Sequence, residues 1–99
     1  MAQVVWTNEA KRWLQDIYDY IAADNEAAAR RTVLAIHQRA EGLLAFPEMG
    51  YRYRERPGIR VLLYGHYRIA YLISVTRDVQ VLGVFHGALD VGRYVTPPE

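Results

Sequence analysis

The arginines in the second half of the chain are the residues whose type and spacing are best suited to bind an anion. Five arginines and a single acid lie between residues 52 and 68, so this segment carries a net charge of +4. Guanidinium groups bind phosphates and carboxylates through paired N–H donors. The segment therefore predicts an anion-binding surface, and the alternative is a solvated strand face whose charges discourage pairing with other strands. The arginines are Arg52, Arg54, Arg56, Arg60 and Arg68.

Two polar residues interrupt or end apolar segments that have the composition of β-strands. Arg68 lies in the middle of one such segment, and His86 closes the next. An arginine inside a strand needs a partner or a function, so Arg68 either binds an anionic partner or pairs with Asp90 or the C-terminal carboxylate. A histidine titrates near neutral pH, so His86 is a candidate general base or partner contact, and the alternative is a bond to a backbone carbonyl.

The first half of the chain predicts the helices that must support this strand half. Apolar residues recur at helical spacing after Thr7, which is a plausible N-cap, and a second helical pattern runs from Asn25 to about Phe46 before Pro47. The joint between the two patterns is short, which predicts an antiparallel helical hairpin. The stripe of the first helix consists of Ala10, Trp13, Leu14, Ile17 and Ile21.

The strand half begins with alternating aromatic and basic residues at 51–56, which would place Arg52, Arg54 and Arg56 on one face of one strand. Pro57-Gly58 predicts a turn after it. Two further strands surround Gly65-His66, and a two-residue loop there would pair Arg60 with Tyr71 and Leu63 with Arg68. The last strand covers residues 79–86.

The order of elements is β-α-α-β-β-β-β, an α+β fold in which a helical hairpin covers one face of a largely antiparallel sheet. No element remains to cover the other face, so we expect that face and the sheet edges to be available to partners. Residues 1–96 form one domain in this interpretation, and residues 97–99 form a frayed C-terminal tail.

Composition excludes several classes of function. The chain has no cysteine, no signal-peptide pattern and no apolar run of membrane-spanning length, which favours a cytoplasmic protein without disulfides. It also lacks a cluster of histidines and carboxylates at metal-ligand spacing and a glycine-rich phosphate loop. We therefore expect no metal and no cofactor.

Five ordered motifs resemble one family. The first two are the Ala10-Leu14-Ile17-Tyr20-Ile21 pattern and the alanine-rich stretch from Asn25 to Ala29. The others are Leu43-Leu-x-Phe-Pro-x-x-Gly50, Tyr67-Arg-Ile-x-Tyr71 and Val81-Leu-x-Val-x-His-Gly87. Together they are similar to the RelE/ParE toxins of bacterial type II toxin–antitoxin systems, in the ParE-like branch, over roughly residues 4–90.

The resemblance implies a toxin that binds and inhibits DNA gyrase without catalysis. From the charge pattern, we expect the target contacts to be Arg52, Arg54, Arg56, Arg60 and Arg68. The alternatives are a ribosome-dependent mRNA endoribonuclease of RelE type, or a degenerate homologue that binds its antitoxin without being toxic. For a nuclease, the matching residues are Arg60, Arg68, His86, Arg93 and Tyr94. That set is incomplete, because Ala88-Leu89-Asp90 follows Gly87 with an apolar residue where the enzymes place arginine, and arginine is a poor general base.

The resemblance also implies a cognate antitoxin, of ribbon-helix-helix type, that forms a hetero-oligomer with the toxin. The alanine-rich helical hairpin predicts a shallow groove that an amphipathic antitoxin helix could fill, while an antitoxin strand pairs with the sheet edge. The expected antitoxin contacts are Trp13, Tyr20, Ala28, Arg31 and Ile36.

Overall fold

Both helices begin at side chains that cap them. In the computed structural model, which describes residues 1–86, helix α1 spans Asn8–Ala22 and helix α2 spans Glu26–Glu41. The Thr7 hydroxyl accepts a hydrogen bond from the Ala10 N–H at 3.1 Å, and the Asn25 side chain accepts one from the Ala28 N–H at 3.0 Å. Each bond satisfies an N–H group that the first turn of a helix leaves unpaired. The predicted N-cap at Thr7 is confirmed, and Asn25, where the second helical pattern was predicted to start, caps the second helix.

The second helix ends earlier than its apolar pattern predicts. Helix α2 stops at Glu41 and a single 3₁₀ turn, Gly42–Leu44, follows it, so the predicted end near Phe46 is wrong. Glycine is a poor helix former, costing about 1 kcal/mol relative to alanine, and it stands where the α-helical hydrogen bonding stops. Phe46 lies in the turn after this point, where its N–H donates to the Gly42 carbonyl.

A five-stranded sheet forms the rest of the described chain. Its spatial order is β1-β5-β4-β3-β2, with β1 parallel to β5 and every other pair antiparallel. Helix α1 packs against both α2 and β5, so the hairpin covers one face of the sheet as predicted. The α+β prediction is confirmed. The strands are β1 (Val4–Trp6), β2 (Tyr51–Tyr53), β3 (Arg56–Tyr64), β4 (Tyr67–Ile73) and β5 (Val79–His86).

The predicted register between β3 and β4 is also confirmed. Arg60 lies opposite Tyr71 and Leu63 lies opposite Arg68, with a two-residue loop at Gly65-His66. Gly65 has a φ of 56°, which glycine adopts without steric cost at the first central position of a type II′ hairpin turn.

The turn between β2 and β3 lies elsewhere than predicted. Arg54 and Glu55 form it, and Pro57-Gly58 lies within β3. The pairing passes from Tyr53 opposite Arg56 directly to Arg52 opposite Arg60, so residues 57–59 form an irregular insertion in β3. Proline has no N–H to donate and is tolerated at such a bulge. Because β2 ends at Tyr53 and β3 begins at Arg56, the prediction that residues 51–56 form one strand with three arginines on one face is wrong.

Side chains on both faces of the sheet are buried. The main core lies under the helices and includes Leu14, Ile36, Ile69, Tyr71 and Val84. Ala70 points away from this core because it lies between Ile69 and Tyr71 on the same strand. It belongs to a second buried cluster, so the expectation of an open second face is wrong at these positions. That cluster consists of Ile59, Ala70, Leu82 and Phe85.

Two predictions fall outside the described residues. These are the frayed tail at residues 97–99 and the C-terminal arm that carries Asp90, Arg93 and Tyr94. Among residues 1–86, no helix combines the length and the apolar character needed to cross a bilayer.

Candidate functional site

The loop that joins the helices to the sheet is held by a buried tyrosine. The Tyr71 hydroxyl donates to the Pro47 carbonyl at 2.6 Å and accepts from the Gly50 N–H at 3.0 Å. Burial raises the pKa of Tyr71 above its ordinary value, although the bond from Gly50 and the charge of Arg60 oppose that rise. Tyr71 therefore stays protonated and keeps its donor hydrogen for Pro47.

Arg60 also binds the backbone of the same loop. Its guanidinium donates to the Gly50 carbonyl at 2.8 Å and to the Glu48 carbonyl at 3.3 Å, and the Glu48 carboxylate lies 4.0 Å away. The Arg60 side chain is only 14% exposed. Arg60 thus uses its donors to position the chain's own backbone, and we remove it from the candidate anion-binding surface.

The other arginines of the cluster surround the end of the β2–β3 hairpin. Arg52 lies opposite Arg60 and donates weakly to the Pro57 carbonyl at 3.5 Å, Arg54 is in the turn, and Arg56 begins β3. All three residues are exposed. They form a basic surface at one end of the sheet, which we call the arginine tip, instead of the predicted stripe along one strand.

The described nuclease candidates do not converge on one site. Arg68 pairs with Phe85 in register and His86 pairs with Tyr67, so the Arg68 and His86 side chains project from opposite faces of the sheet. Arg60 shares the face of His86 but is displaced by one intervening strand and by four residues along β4. With ~4.8 Å between strands and ~3.3 Å per residue, these Cα atoms are about 16 Å apart.

Arg68 itself is half-buried between Leu63 and Phe85 on the face opposite the helices. Within residues 1–86 it forms no ion pair. The predicted partner Asp90 is outside the described residues, so the choice between an anion contact and a structural pair stays a prediction.

His86 belongs to a small aromatic group at the end of the sheet where the Gly65-His66 loop lies. Its ring centroid lies 6.2 Å from that of His66, with the two planes inclined by 21°, and 6.2 Å from that of Tyr67 in an edge-on arrangement. Both histidines are exposed. The hairpin loop supplies His66 and the end of β5 supplies His86, so chain topology brings them together from twenty residues apart.

An open, largely apolar groove of about 480 Å³ runs between α1 and the sheet, with His86 at its wall. Trp13 forms part of this groove and contacts the Phe85 ring edge-on at a centroid distance of 4.6 Å. Tyr20, on the same helix, is 78% exposed. We call this feature the α1 groove. Its lining residues are Trp13, Asp16, Ile17, Tyr20, Ile21, Tyr67, Val84 and His86.

The α1 groove contains only two of the predicted antitoxin contacts, Trp13 and Tyr20. Ala28 is half-buried and Arg31 exposed on α2. Ile36 is fully buried in the main core, where a partner cannot reach it, and we remove it from the candidate set. A second groove of about 450 Å³ lies on the other side of α1, where Trp6 contacts His37 at a centroid distance of 4.5 Å.

Sequence reasoning missed the sheet residues of the α1 groove, Tyr67 and Val84. They lie on the face that the helices cover, since Tyr67 and Ile69 lie on one side of β4 and Val84 lies opposite Ile69. The available signal was the short β1. It pairs with β5 only through residues 79–81, which leaves the rest of that strand's edge to α1.

Comparison with known proteins supports a family assignment. Residues 4–91 match the family described as ParE toxin of type II toxin-antitoxin system, parDE. The Toxin RelE2 of Caulobacter vibrioides is 44% identical over 50 residues, which are 50% of this chain and 57% of that protein. The chain thus spans little more than half the length of this relative.

Two solved structures share the fold. The chromosomal ParDE toxin–antitoxin system from P. aeruginosa superposes with a TM-score of 0.74 at 24% identity, covering 87% of this chain and 96% of the other. The toxin–antitoxin complex RelBE2 from Mycobacterium tuberculosis superposes with a TM-score of 0.65 at 26% identity, covering 86% and 90%. Both branches of the superfamily are therefore represented among the similar structures.

Proposed function

The chain belongs to the ParE toxin family of type II toxin–antitoxin systems, and on that premise we propose that it is a toxin that inhibits DNA gyrase by binding. A cognate antitoxin neutralises it by forming a hetero-oligomer. The observation that carries the choice of binding over catalysis is the separation of the nuclease candidates. Arg60, Arg68 and His86 do not share a face and a neighbourhood of the sheet.

Cleavage of RNA by 2′-hydroxyl attack needs a base, an acid and a fixed cation within hydrogen-bond reach of one phosphate. The Cα atoms of His86 and Arg60 are about 16 Å apart by the sheet geometry above, and Arg60 already uses its donors on Gly50 and Glu48. Arg68 projects from the opposite face. The described residues therefore favour a role in which surfaces bind and no side chains combine in catalysis.

The arginine tip is the surface that we propose for the target. Arg52, Arg54 and Arg56 are exposed around one hairpin end, where they can form charge-assisted hydrogen bonds with carboxylates of a protein partner. Arg68 is proposed as a further contact from the face opposite the helices.

The α1 groove is the surface that we propose for the antitoxin. It is apolar and open, and the exposed Tyr20 and half-buried Trp13 provide aromatic surface that an amphipathic helix can cover. Ala28 and Arg31 extend the proposed contact onto α2. A ribbon-helix-helix antitoxin with an acidic amphipathic tail fits this arrangement.

A second candidate function is mRNA cleavage on the ribosome. The relative named Toxin RelE2 favours it, with 44% identity over half of this chain. The residues for this activity would be Arg60, Arg68 and His86, with Arg93 and Tyr94 from the part of the chain outside the described residues. A third candidate is a homologue that binds its antitoxin and harms nothing.

Controlled expression in bacteria separates these candidates. A gyrase inhibitor should produce DNA breaks and the SOS response, and purified toxin should inhibit supercoiling by purified gyrase. A nuclease should deplete specific transcripts only when ribosomes are present. If transcripts are cleaved only in the presence of ribosomes and no DNA damage occurs, the second candidate replaces the gyrase proposal. If neither effect occurs, the third candidate is favoured.

Charge variants test the proposed target surface. Changing Arg52, Arg54 and Arg56 together to Gln removes several hydrogen bonds to charged groups, each worth about 1.5–3 kcal/mol. Two such bonds alone correspond to at least about a hundredfold weaker inhibition of gyrase. A matched control changes three exposed arginines elsewhere, Arg12, Arg30 and Arg77, to Gln. Equal loss in both variants would show that net charge matters and the arginine tip does not.

A further inference from the structure

The pair of exposed histidines at the end of the sheet lies apart from the arginine tip, and one of its members, His86, also lines the α1 groove. His66 lies in the β3–β4 loop and His86 ends β5, and their ring centroids are 6.2 Å apart. Neither imidazole forms a hydrogen bond or an ion pair within residues 1–86, and both residues are exposed. Neutral imidazole is the commonest protein ligand for transition metals.

Contrary to the expectation from sequence spacing, we propose that His66 and His86, which only the fold brings together, bind one divalent transition-metal ion, such as Cu²⁺, Ni²⁺ or Zn²⁺. A metal–nitrogen bond of about 2.0–2.1 Å places the ion about 3.2 Å from the centroid of each ring. Two imidazoles that share an ion are therefore about 4.5–6.4 Å apart, the smallest value for neighbouring ligands of a square-planar ion and the largest for collinear ligands. The observed 6.2 Å lies within this range.

Binding requires the rings to turn but leaves the backbone in place. The two planes are inclined by only 21°, so at least one ring must rotate to aim its nitrogen at the shared ion. Exposed side chains make such rotations on the ps–ns timescale. The backbone positions are fixed by the sheet, since Tyr67 pairs directly with His86 and the two-residue loop holds His66 next to Tyr67.

The site differs from a structural metal centre in its number of protein ligands. No third histidine, aspartate or glutamate in residues 1–86 joins the pair in a ligand cluster. Water completes the coordination of the ion, which makes the site open and its affinity modest. For such nitrogen ligands the expected order of affinity is Cu²⁺ above Ni²⁺ and Zn²⁺.

The chain offers a clean test because it contains only three histidines, His37, His66 and His86. The purified protein, freed of any histidine tag, is titrated by calorimetry with Cu²⁺, Ni²⁺ and Zn²⁺ at pH 7.5 and at pH 5.5. We expect one ion per chain at the higher pH and weaker binding at the lower pH, because protons compete with metal ions for nitrogen ligands.

His66→Ala and His86→Ala should each weaken binding by at least about tenfold, because even loss of an outer-shell partner costs about 10–100-fold in metal affinity. His37→Ala is the matched control and should bind as the unaltered chain does, since His37 contacts Trp6 on the other side of α1. Circular dichroism confirms that each variant is folded, which exposed positions allow.

Several outcomes would overturn the proposal. These are a Kd of about 1 mM or weaker for all three ions, binding that survives in both His66→Ala and His86→Ala, and binding that is lost in His37→Ala. Inhibition of gyrase is not part of this measurement, so the metal site and the proposed function stand or fall separately.

Discussion

Tyr71→Phe tests most directly how much the Tyr71 hydroxyl stabilises the loop from Pro47 to Gly50, which we call the clamped loop. The substitution removes one oxygen and keeps the ring, which is fully buried against the main core. Two polar groups then lose their partner, namely the Gly50 N–H, whose bond is buried, and the Pro47 carbonyl, whose bond is partly buried. The fold itself should persist, because the sheet register does not depend on the hydroxyl.

The magnitude follows from the burial of those two groups. An unsatisfied buried donor costs about 1–3 kcal/mol, and a partly buried carbonyl that can reach water costs less, so the free energy of unfolding should fall by about 2–3 kcal/mol. For a chain of this size the melting temperature should drop by about 10–20 °C. Urea unfolding followed by circular dichroism measures the change, provided the m-value is unaltered.

The same variant tests the direction of the pKa shift. Burial raises the pKa of Tyr71 above the ordinary 10.0. The unfolded chain therefore loses this proton at lower pH than the folded chain does. The stability contributed by Tyr71 is fully present below pH 10 and declines as the pH rises through the folded pKa. The difference in unfolding free energy between wild type and Tyr71→Phe should shrink above pH 10.

Tyr20→Phe is the matched control, because Tyr20 is largely exposed. Its free energy of unfolding should change by less than about 0.5 kcal/mol, as surface substitutions usually do. A change in Tyr71→Phe as small as that of the control would refute the clamp. A difference between wild type and Tyr71→Phe that does not vary between pH 9 and pH 11 would refute the assigned direction of the pKa shift.

The remaining predictions concern three other positions and are measured by the same urea unfolding. Gly50→Ala should lower the free energy of unfolding by about 1–3 kcal/mol through overpacking, because an added Cβ would lie 2.8 Å from both the Tyr71 ring and the Val61 carbonyl. Unchanged stability would show that the loop can move aside. Thr7→Ala should cost about 1–2 kcal/mol, because the hydroxyl both caps α1 and donates to the Val81 carbonyl at 2.9 Å; Thr7→Ser should recover most of the loss. Arg60→Met keeps the aliphatic stem and removes the donors to the Gly50 carbonyl, so a loss below about 0.5 kcal/mol would contradict its role in the clamp.

Features that depend on neighbouring residues were predictable from the sequence. Thr7 and Asn25 cap their helices through bonds that reach three residues ahead, and such local chemistry reads directly from residue types. The Gly65-His66 loop fixes the pairing of β3 with β4 because loop length sets hairpin register. The fold class follows from these elements and their order.

The β2–β3 connection was not predictable, since two signals of similar strength compete within a few residues. Pro57-Gly58 is the stronger turn signal by residue type. The chain instead turns at Arg54-Glu55 and places the proline in a bulge, where its missing N–H needs no partner. The position of this turn decides whether the arginines form a stripe or a tip. An error of a few residues in the turn therefore changed the predicted shape of the candidate surface.

The role of Arg60 depends on contacts ten or more residues away, which strand periodicity alone does not reveal. The sequence nevertheless contained a usable signal. The predicted register places Arg60 beside Tyr71. Two neighbouring hydrogen-bonding side chains of this kind suggest that both bind the same stretch of backbone. The structure supplies that target as the loop from Pro47 to Gly50.

The division of the arginines into two groups makes the roles of binding and stability separable by experiment. Arg60 is inward and mostly buried, so its replacement should destabilise the loop and reduce any activity in proportion to the folded fraction. The arginine tip is exposed, so replacing Arg54 in its turn should leave the free energy of unfolding within about ±0.5 kcal/mol while weakening the interaction with the target. If both replacements reduced stability alike, the arginine tip would belong to the folding core of the hairpin, and the anion-binding surface would have to be sought around Arg68.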